Sequence, residues 1–253
     1  MGRIIAIANQ KGGVAKTTTA INLSACLVEL GKKVLLIDLD PQGNATSGCG
    51  LNKNRLSVSI YDTLINEVPF TKVIRKTEIP GLRVAPAKIE LAGAEIELVN
   101  LERRENKLSE AINEIADEYD FIFIDCPPSL GLLTLNALTA ATDVLIPVQC
   151  EYYALEGLSL LMDTIFRVKK SLNPKLNIFG ALLTMFDART NLSIQVVDEV
   201  KKYFKNRVFS TIVPRNVRLS EAPSHGKPII LYDRRSRGAE VYRDLAEEVL
   251  ERV

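Results

Sequence analysis

With 253 residues, 47% of them apolar, the chain is long enough for one large α/β domain with a substantial core, and no apolar run approaches the ~18 residues of a membrane span. Four cysteines without a C-x-x-C pair and a single histidine, His225, argue against a zinc site, a disulfide framework or a Ser-His-Asp mechanism, and predict a cytoplasmic protein. The net charge of +1 is uneven: between Met185 and Arg237 stand eleven Lys/Arg against five acids, which fits either a polyanion-binding face or a solvated surface with scattered cations.

Arg3 to Ala8 predicts a buried strand at the very start of the chain, which does not read as a signal peptide. Next comes the loop Asn9-Gln10-Lys11-Gly12-Gly13-Val14-Ala15-Lys16-Thr17-Thr18, then a helix from about Ala20. Strand, glycine loop and helix opening on Lys-Thr form the context of a phosphate-binding loop, whose backbone N–H groups and helix N-terminus cradle anions. In that setting Lys16 reaches phosphate and the Thr17 hydroxyl suits Mg²⁺. Lys33 to Asp40 predicts a second buried strand ending in Asp38 and Asp40, followed by a polar loop able to act as a switch. An acid here either orients an attacking water or caps a turn.

A short helix over Ser59–Ile65 and a strand over Gly81–Pro86 follow, then a charged periodic stretch, 100–118, with Leu101, Leu108, Ile112 and Ile115 as its buried face. Asp120 to Asp125 predicts a buried strand whose terminal acid has the position of a Walker B residue, before the stiff turn Pro127-Pro128. Strands over 143–148, 177–184 and 208–213 alternate with helices over 151–170, 193–204 and 236–253. The alternation predicts a mostly parallel sheet covered on both faces. The last helix carries five acids against two arginines from Ala239 on, unlike a membrane-surface helix, and predicts packing on the domain through Val241, Leu245, Val249 and Leu250. No repeat or linker interrupts residues 1–253, so one domain is expected, without a separate N-terminal DNA-binding segment.

The loop Lys11-Gly12-Gly13-x-x-Lys16-Thr17 resembles the deviant Walker A motif of the ParA/MinD family of P-loop ATPases. Asp38-Leu39-Asp40-Pro41-Gln42-Gly43-Asn44, Asp125-Cys126-Pro127-Pro128-Ser129 and Pro214-Arg215-Asn216-Val217-Arg218 are similar to its small chromosomal Soj-type members, and the likeness runs from end to end. The resemblance implies a three-layer P-loop fold and an ATP/ADP- and Mg²⁺-dependent switch. It also implies a homodimer sandwiching two nucleotides, slow hydrolysis stimulated by a ParB-type centromere-binding protein, and non-specific binding of double-stranded DNA on the nucleoid, with no membrane partner. By the same resemblance Lys11 reaches the partner's ATP, Lys16 and Thr18 contact phosphate, Thr17 ligates Mg²⁺, and Asp40 and Asp125 serve hydrolysis, with the metal held through water. Gly12, Gly13, Val14 and Ala15 complete the loop, and Pro214 and Asn216 contact adenine. Arg189 and Arg218 match DNA-binding positions; Lys201, Lys202, Lys205, Arg215 and Lys227 are candidates by charge. Ala15 departs from the family loop, which has glycine there. Either the variation is tolerated or it weakens binding, dimerisation or turnover. A MinD-like membrane-cycling ATPase, a regulator with little hydrolysis and a metabolic P-loop enzyme are the alternative functions.

Overall fold

The computed structural model describes residues 2–151 and 156–253. Period-2 alternation in the central strands sets the layers. In β1 (Arg3–Ile7), Ile4 and Ala6 enter one core while Ile5 and Ile7 enter the other. In β2 (Val34–Asp38), Leu35 and Ile37 oppose Val34 and Leu36 in the same way. Strands buried on both faces read as continuous apolar runs, as these do. The remaining strands are β3 (Arg75–Lys76), β4 (Leu82–Ala85), β5 (Phe121–Asp125), β6 (Asp143–Gln149) and β7 (Asn177–Thr184). Among the described residues they form a seven-stranded sheet of order β3-β4-β2-β5-β1-β6-β7, parallel except for the β3–β4 pair.

Helices fill the outer layers in chain order: α1 (Lys16–Glu29), α2 (Asn44–Gly48), α3 (Ile60–Asn66), α4 (Phe70–Val73), α5 (Leu91–Glu97) and α6 (Lys107–Asn113). They continue as α7 (Leu132–Ala140), α8 (Glu156–Ser171), α9 (Asn191–Phe204), α10 (Val217–Glu221), α11 (Ile229–Tyr232) and α12 (Arg237–Glu251). Helices α3 to α9 supply the core on one face of the sheet; α1, α2 and α10 to α12 supply the other. This is the expected three-layer α/β architecture. The acidic α12 buries Val241, Tyr242, Leu245 and Val249, with Leu250 packed at the margin, and Thr19 of α1 meets the Tyr242 hydroxyl at 3.2 Å. Its apolar stripe is therefore used up in the core. Among the described residues no helix is long and apolar enough to cross a membrane.

Three expectations change in detail. Residues 208–213 do not form an eighth strand: within them only Val208 makes an isolated bridge, to Ala181, and Pro214 just beyond makes another, to Phe186. The Glu248 carboxylate of α12 accepts the Ser210 and Thr211 N–H groups at 2.7 and 2.8 Å, taking donors a ladder would need. The 100–118 stretch is broken into α6 and short 3₁₀ turns, although Leu108, Ile112 and Ile115 are buried as expected. In the helix expected over 151–170, residues 152–155 lie outside the described residues; the described helix spans Glu156–Ser171.

Candidate functional site

The order β2-β5-β1 brings the ends of three strands together, at the carboxyl edge where parallel sheets bind ligands. Asp38 and Asp125 are register partners across β2 and β5, and Ile7, the last residue of β1, pairs with Asp125 on the other side. The loop between β1 and α1 is pinned at two points. Asn9 donates to the Pro147 carbonyl at 2.7 Å and accepts the Lys11 N–H at 3.0 Å; the Thr184 hydroxyl at the end of β7 donates to the Val14 carbonyl at 3.1 Å. Val14 itself is buried, so it serves the loop through its backbone.

Helix α1 starts without a side-chain cap and without an acid in its first turn. Its leading N–H groups and its positive dipole end are left for an anion. They border a cleft of about 390 Å³ lined by Gly12, Gly13, Ala15, Lys16, Thr17, Thr18, Asp40, Gln42, Asn44, Pro128 and Met185. A smaller pocket of about 100 Å³ shares Ala15, Thr18 and Met185 and continues to Pro214, Asn216 and Tyr242. A large polar cleft joined to a small pocket suits a polyphosphate attached to a planar base. The Asn216 carbonyl oxygen accepts the Leu219 N–H at 3.3 Å, which fixes the side chain at the pocket wall.

Lys16 is buried, and its ammonium donates to the Lys11 carbonyl at 3.0 Å. Burial lowers its pKa, opposed first by the charge of Asp125. Lys11 stands apart from the cleft, with its ammonium 3.8 Å from Glu151. Asp40 lines the cleft, and among the described residues its carboxylate accepts the Gln42 N–H at 2.9 Å and no other hydrogen bond. The buried Asp38 instead anchors the loop. Its carboxylate accepts the Thr46 N–H at 2.7 Å, the Thr46 hydroxyl at 2.6 Å and the Asp40 N–H at 3.3 Å. Burial nevertheless pushes Asp38 up to about 6.

Asp125 is fully buried, and among the described residues neither carboxylate oxygen has a well-formed hydrogen bond, the Thr17 hydroxyl being the nearby donor. Burial first, and Asp38 second, push its pKa well up; the nearby Thr17 hydroxyl and, more weakly, Lys16 pull the other way. An orphaned buried carboxylate is expensive unless a cation or a donor completes it. Among the described residues no group of three or more His, Cys, Asp or Glu could hold a metal alone. Thr17, Asp40 and Asp125 are hard oxygen donors of the kind Mg²⁺ takes when phosphate and water complete its shell, so the site fits that ion.

Sequence reasoning missed Met185, which lines both cavities and holds a left-handed backbone at φ 52°, and Asn9 and Thr184, which pin the loop. Such polar pins on strand ends carry no periodic signal. Ala15 is the second strained residue: at φ 68°, ψ 29° it occupies the left-handed region that glycine adopts freely. Ala15→Gly is expected to stabilise the nucleotide-free protein by about 0.5–1 kcal/mol, the relief of left-handed strain less the larger freedom of an unfolded glycine. Thermal unfolding checks this, and a lower Tm in the glycine variant would contradict it.

The candidate DNA cations are divided. Arg189, in the loop after β7, donates to Asp187 at 2.9 and 2.6 Å, and these bonds hold the Asp187 carboxyl well below its usual range. Arg215 pairs with Glu151 at 3.1 Å, Arg218 with Glu221 at 2.9 Å and Asp233 at 3.5 Å, and Lys202 with Glu199 at 3.3 Å. Helix α9 starts at the phosphate edge and runs ~21 Å along its 14 residues. It therefore carries Lys201, Lys202 and Lys205 towards the opposite end of the sheet from Arg189, so not all of the basic third faces the phosphate side. Lys227 sits beyond Gly226, which abuts Gly50 after α2.

The family profile described as an AAA domain matches residues 2–178. The chain is 64% identical to the sporulation initiation inhibitor protein Soj of Bacillus subtilis, over 98% of both chains. It is 59% identical to the chromosome partitioning protein ParA of Myxococcus xanthus, covering 100% of this chain and 89% of that one. Among solved structures, a cobyrinic acid a,c-diamide synthase from Mycobacterium smegmatis with bound ADP and magnesium superposes with TM-score 0.87 at 40% identity, over 99% of this chain and 95% of that one. The septum site-determining protein MinD of Pyrococcus horikoshii, complexed with Mg-ADP, gives TM-score 0.82 at 27% identity, over 98% of this chain and 96% of that one. With this glycine loop, these strand-end acids and matches along nearly its whole length, the chain belongs to the ParA/MinD family of P-loop ATPases, among relatives of the Soj and ParA chromosome-partitioning type.

Proposed function

We propose that the chain is a chromosome-partitioning ATPase, acting as one domain over its whole length. The observation that carries this reading is the single cleft that joins the uncapped start of α1, the Lys16 side chain and the acid Asp40, with the orphaned Asp125 behind it. ATP takes the cleft with its phosphates on the loop N–H groups and Lys16, and its base against Pro214 and Asn216. Thr17, with Asp40 and Asp125 acting through water, would hold Mg²⁺, which would neutralise phosphate charge. Asp40, half-buried and facing the cleft, orients the attacking water. Lys11, outside its own cleft, serves the site of a second copy in this reading, giving a dimer with two sandwiched nucleotides. Partitioning is favoured over amide synthesis because identity to Soj and ParA, 64 and 59%, exceeds the 40% to the mycobacterial synthase.

In this reading the ATP dimer binds double-stranded DNA without sequence preference, through Arg189, Arg218 and neighbouring cations. A ParB-type protein stimulates hydrolysis, and the protein is cytoplasmic and nucleoid-associated. Cations from two subunits add, so nucleotide state gates an affinity dominated by phosphate contacts. Light scattering after size exclusion tests the switch. A dimer with Mg-ATP but not with Mg-ADP or without nucleotide is expected, and a monomer throughout, in both this protein and Ala15→Gly, would overturn it. A monomer rescued only by Ala15→Gly would instead assign the failure to Ala15.

The bidentate grip of Asp187 on Arg189 leads to a second expected result. Asp187→Asn frees the guanidinium and removes a charge that repels phosphate. DNA affinity with Mg-ATP is expected to rise about two- to fivefold at low salt, and less at high salt. Fluorescence anisotropy at two salt concentrations reads this; unchanged or weaker binding would remove Arg189 from the DNA surface.

A further inference from the structure

A groove lies at the outer edge of the sheet, between α8 and α9 and the start of β7. It encloses about 410 Å³ and is lined by Met162, Phe166, Ile178 and Tyr203, with Lys205 and Arg207 at its lip. Phe166 is 62% exposed and Tyr203 53%, unusually open for aromatic rings that border a concave surface. The Tyr203 ring is held edge-to-face on buried Phe204, with centroids 5.0 Å apart, so it is a fixed anchor point. Lys205 closes α9 with a positive φ of 53° and ψ of −122°, a backbone conformation that L side chains rarely adopt. Exposed aromatics, methionine and arginine around a pocket are the composition of interface cores.

We propose that this groove docks an acidic peptide segment carrying aromatic or branched aliphatic anchors. The charges specify the partner's sign. Among the described residues Lys205 and Arg207 have no acidic partner, unlike Arg189, Arg215 and Arg218 at the phosphate edge. An incoming carboxylate would complete them, while the apolar floor takes the anchors. A DNA duplex would reach the two lip cations but leave the apolar floor empty. The groove is also remote from the nucleotide: the six steps of β7 from Ile178 to Thr184 place it ~20 Å from the residue that pins the glycine loop. Docking here is therefore independent of ATP, and so of the proposed partitioning reaction.

The test is selection of a random 12-residue peptide display library on the full-length, nucleotide-free protein, counter-selected on Phe166→Asp/Tyr203→Asp. Both substituted side chains are exposed, and circular dichroism checks that the variant folds. Enriched peptides are expected to be net acidic, with at least two large apolar residues. As labelled synthetic peptides they are expected to bind with an anisotropy change unaffected by Mg-ATP, weakened about tenfold or more by Lys205→Glu/Arg207→Glu. Absence of groove-dependent peptides, or enrichment of basic ones, would overturn the proposal. So would displacement of the peptide by duplex DNA whose own binding needs Tyr203, which would make the face a nucleic-acid surface. A nucleotide-free dimer abolished by Phe166→Asp would likewise overturn it and assign the groove to a second copy.

Discussion

Asp125→Asn is expected to make the nucleotide-free protein more stable at pH 7 while abolishing its Mg²⁺-dependent ATP hydrolysis. The wild-type carboxylate is fully buried, has no well-formed hydrogen bond among the described residues and faces Asp38 across the β2–β5 register, with the Thr17 hydroxyl nearby. An asparagine of the same shape carries no charge, and its amide can donate where two carboxylates repel. The expected gain is about 1–3 kcal/mol, the scale of relieving one unsatisfied buried polar group. The pH dependence has a definite sign. A carboxyl whose folded pKa is raised binds its proton more tightly in the native state, so the wild type loses stability as pH rises from the unfolded value near ~4 through the folded one. Asp38, pushed up to about 6 by burial, adds to the same trend in both proteins. The advantage of Asp125→Asn is therefore expected to be largest at pH 7 and above and to narrow towards pH 4. Urea unfolding at pH 4.5, 6 and 7.5 measures it. A variant less stable than wild type at pH 7.5 would show that Asp125 is satisfied without a cation.

Asp40→Ala is expected to separate binding from turnover. Asp40 contributes little to holding its loop, because Asp38 makes the bonds to Thr46, and the Thr46 hydroxyl in turn accepts the Ala87 N–H at 2.9 Å. Truncating Asp40 gives up only the Gln42 N–H bond and the acid that faces the cleft. Hydrolysis is expected to fall by about 10²–10⁴-fold, the usual contribution of a positioned general base, with ATP binding retained. The ATP dimer then persists on DNA. Lys16→Ala removes the buried ammonium beside the glycine loop and is expected to lose nucleotide and DNA binding together. Phosphate release and DNA anisotropy on the two variants distinguish these outcomes. DNA binding by Lys16→Ala with full ATP dependence would break the proposed link between nucleotide and DNA.

What the chain shows without its structure is what local signals encode. The run Arg3–Ile7, the glycine loop and the uncapped Lys-Thr helix start are contiguous, so strand, cradle and helix dipole were legible from neighbouring residues. Asp40 and Asp125 stood out because each follows an apolar strand and precedes a breaker-rich loop. The alternation of strands and helices was enough for a three-layer sheet.

Contacts between distant residues were decided only in three dimensions. Asp38 and Asp125 become neighbours because β5 inserts between β1 and β2, a pairing no periodicity encodes. Glu248, on a helix that comes later in the chain, interrupts an apparent strand at 208–213 by taking the Ser210 and Thr211 N–H groups, while Phe209 and Val213 still donate to β7. Spacing alone did not show that α9 would separate Arg189 from Lys205, or that Asp187 and Glu221 would pair with the arginines beside them. The left-handed backbone at Ala15 sits in a loop that Asn9 and Thr184 pin to β6 and β7, contacts that only the tertiary structure supplies. Sequence by itself determined the chemistry available at the cleft; tertiary packing decided which charges are buried, paired or free, because desolvation and neighbouring charge depend on residues far apart in the chain.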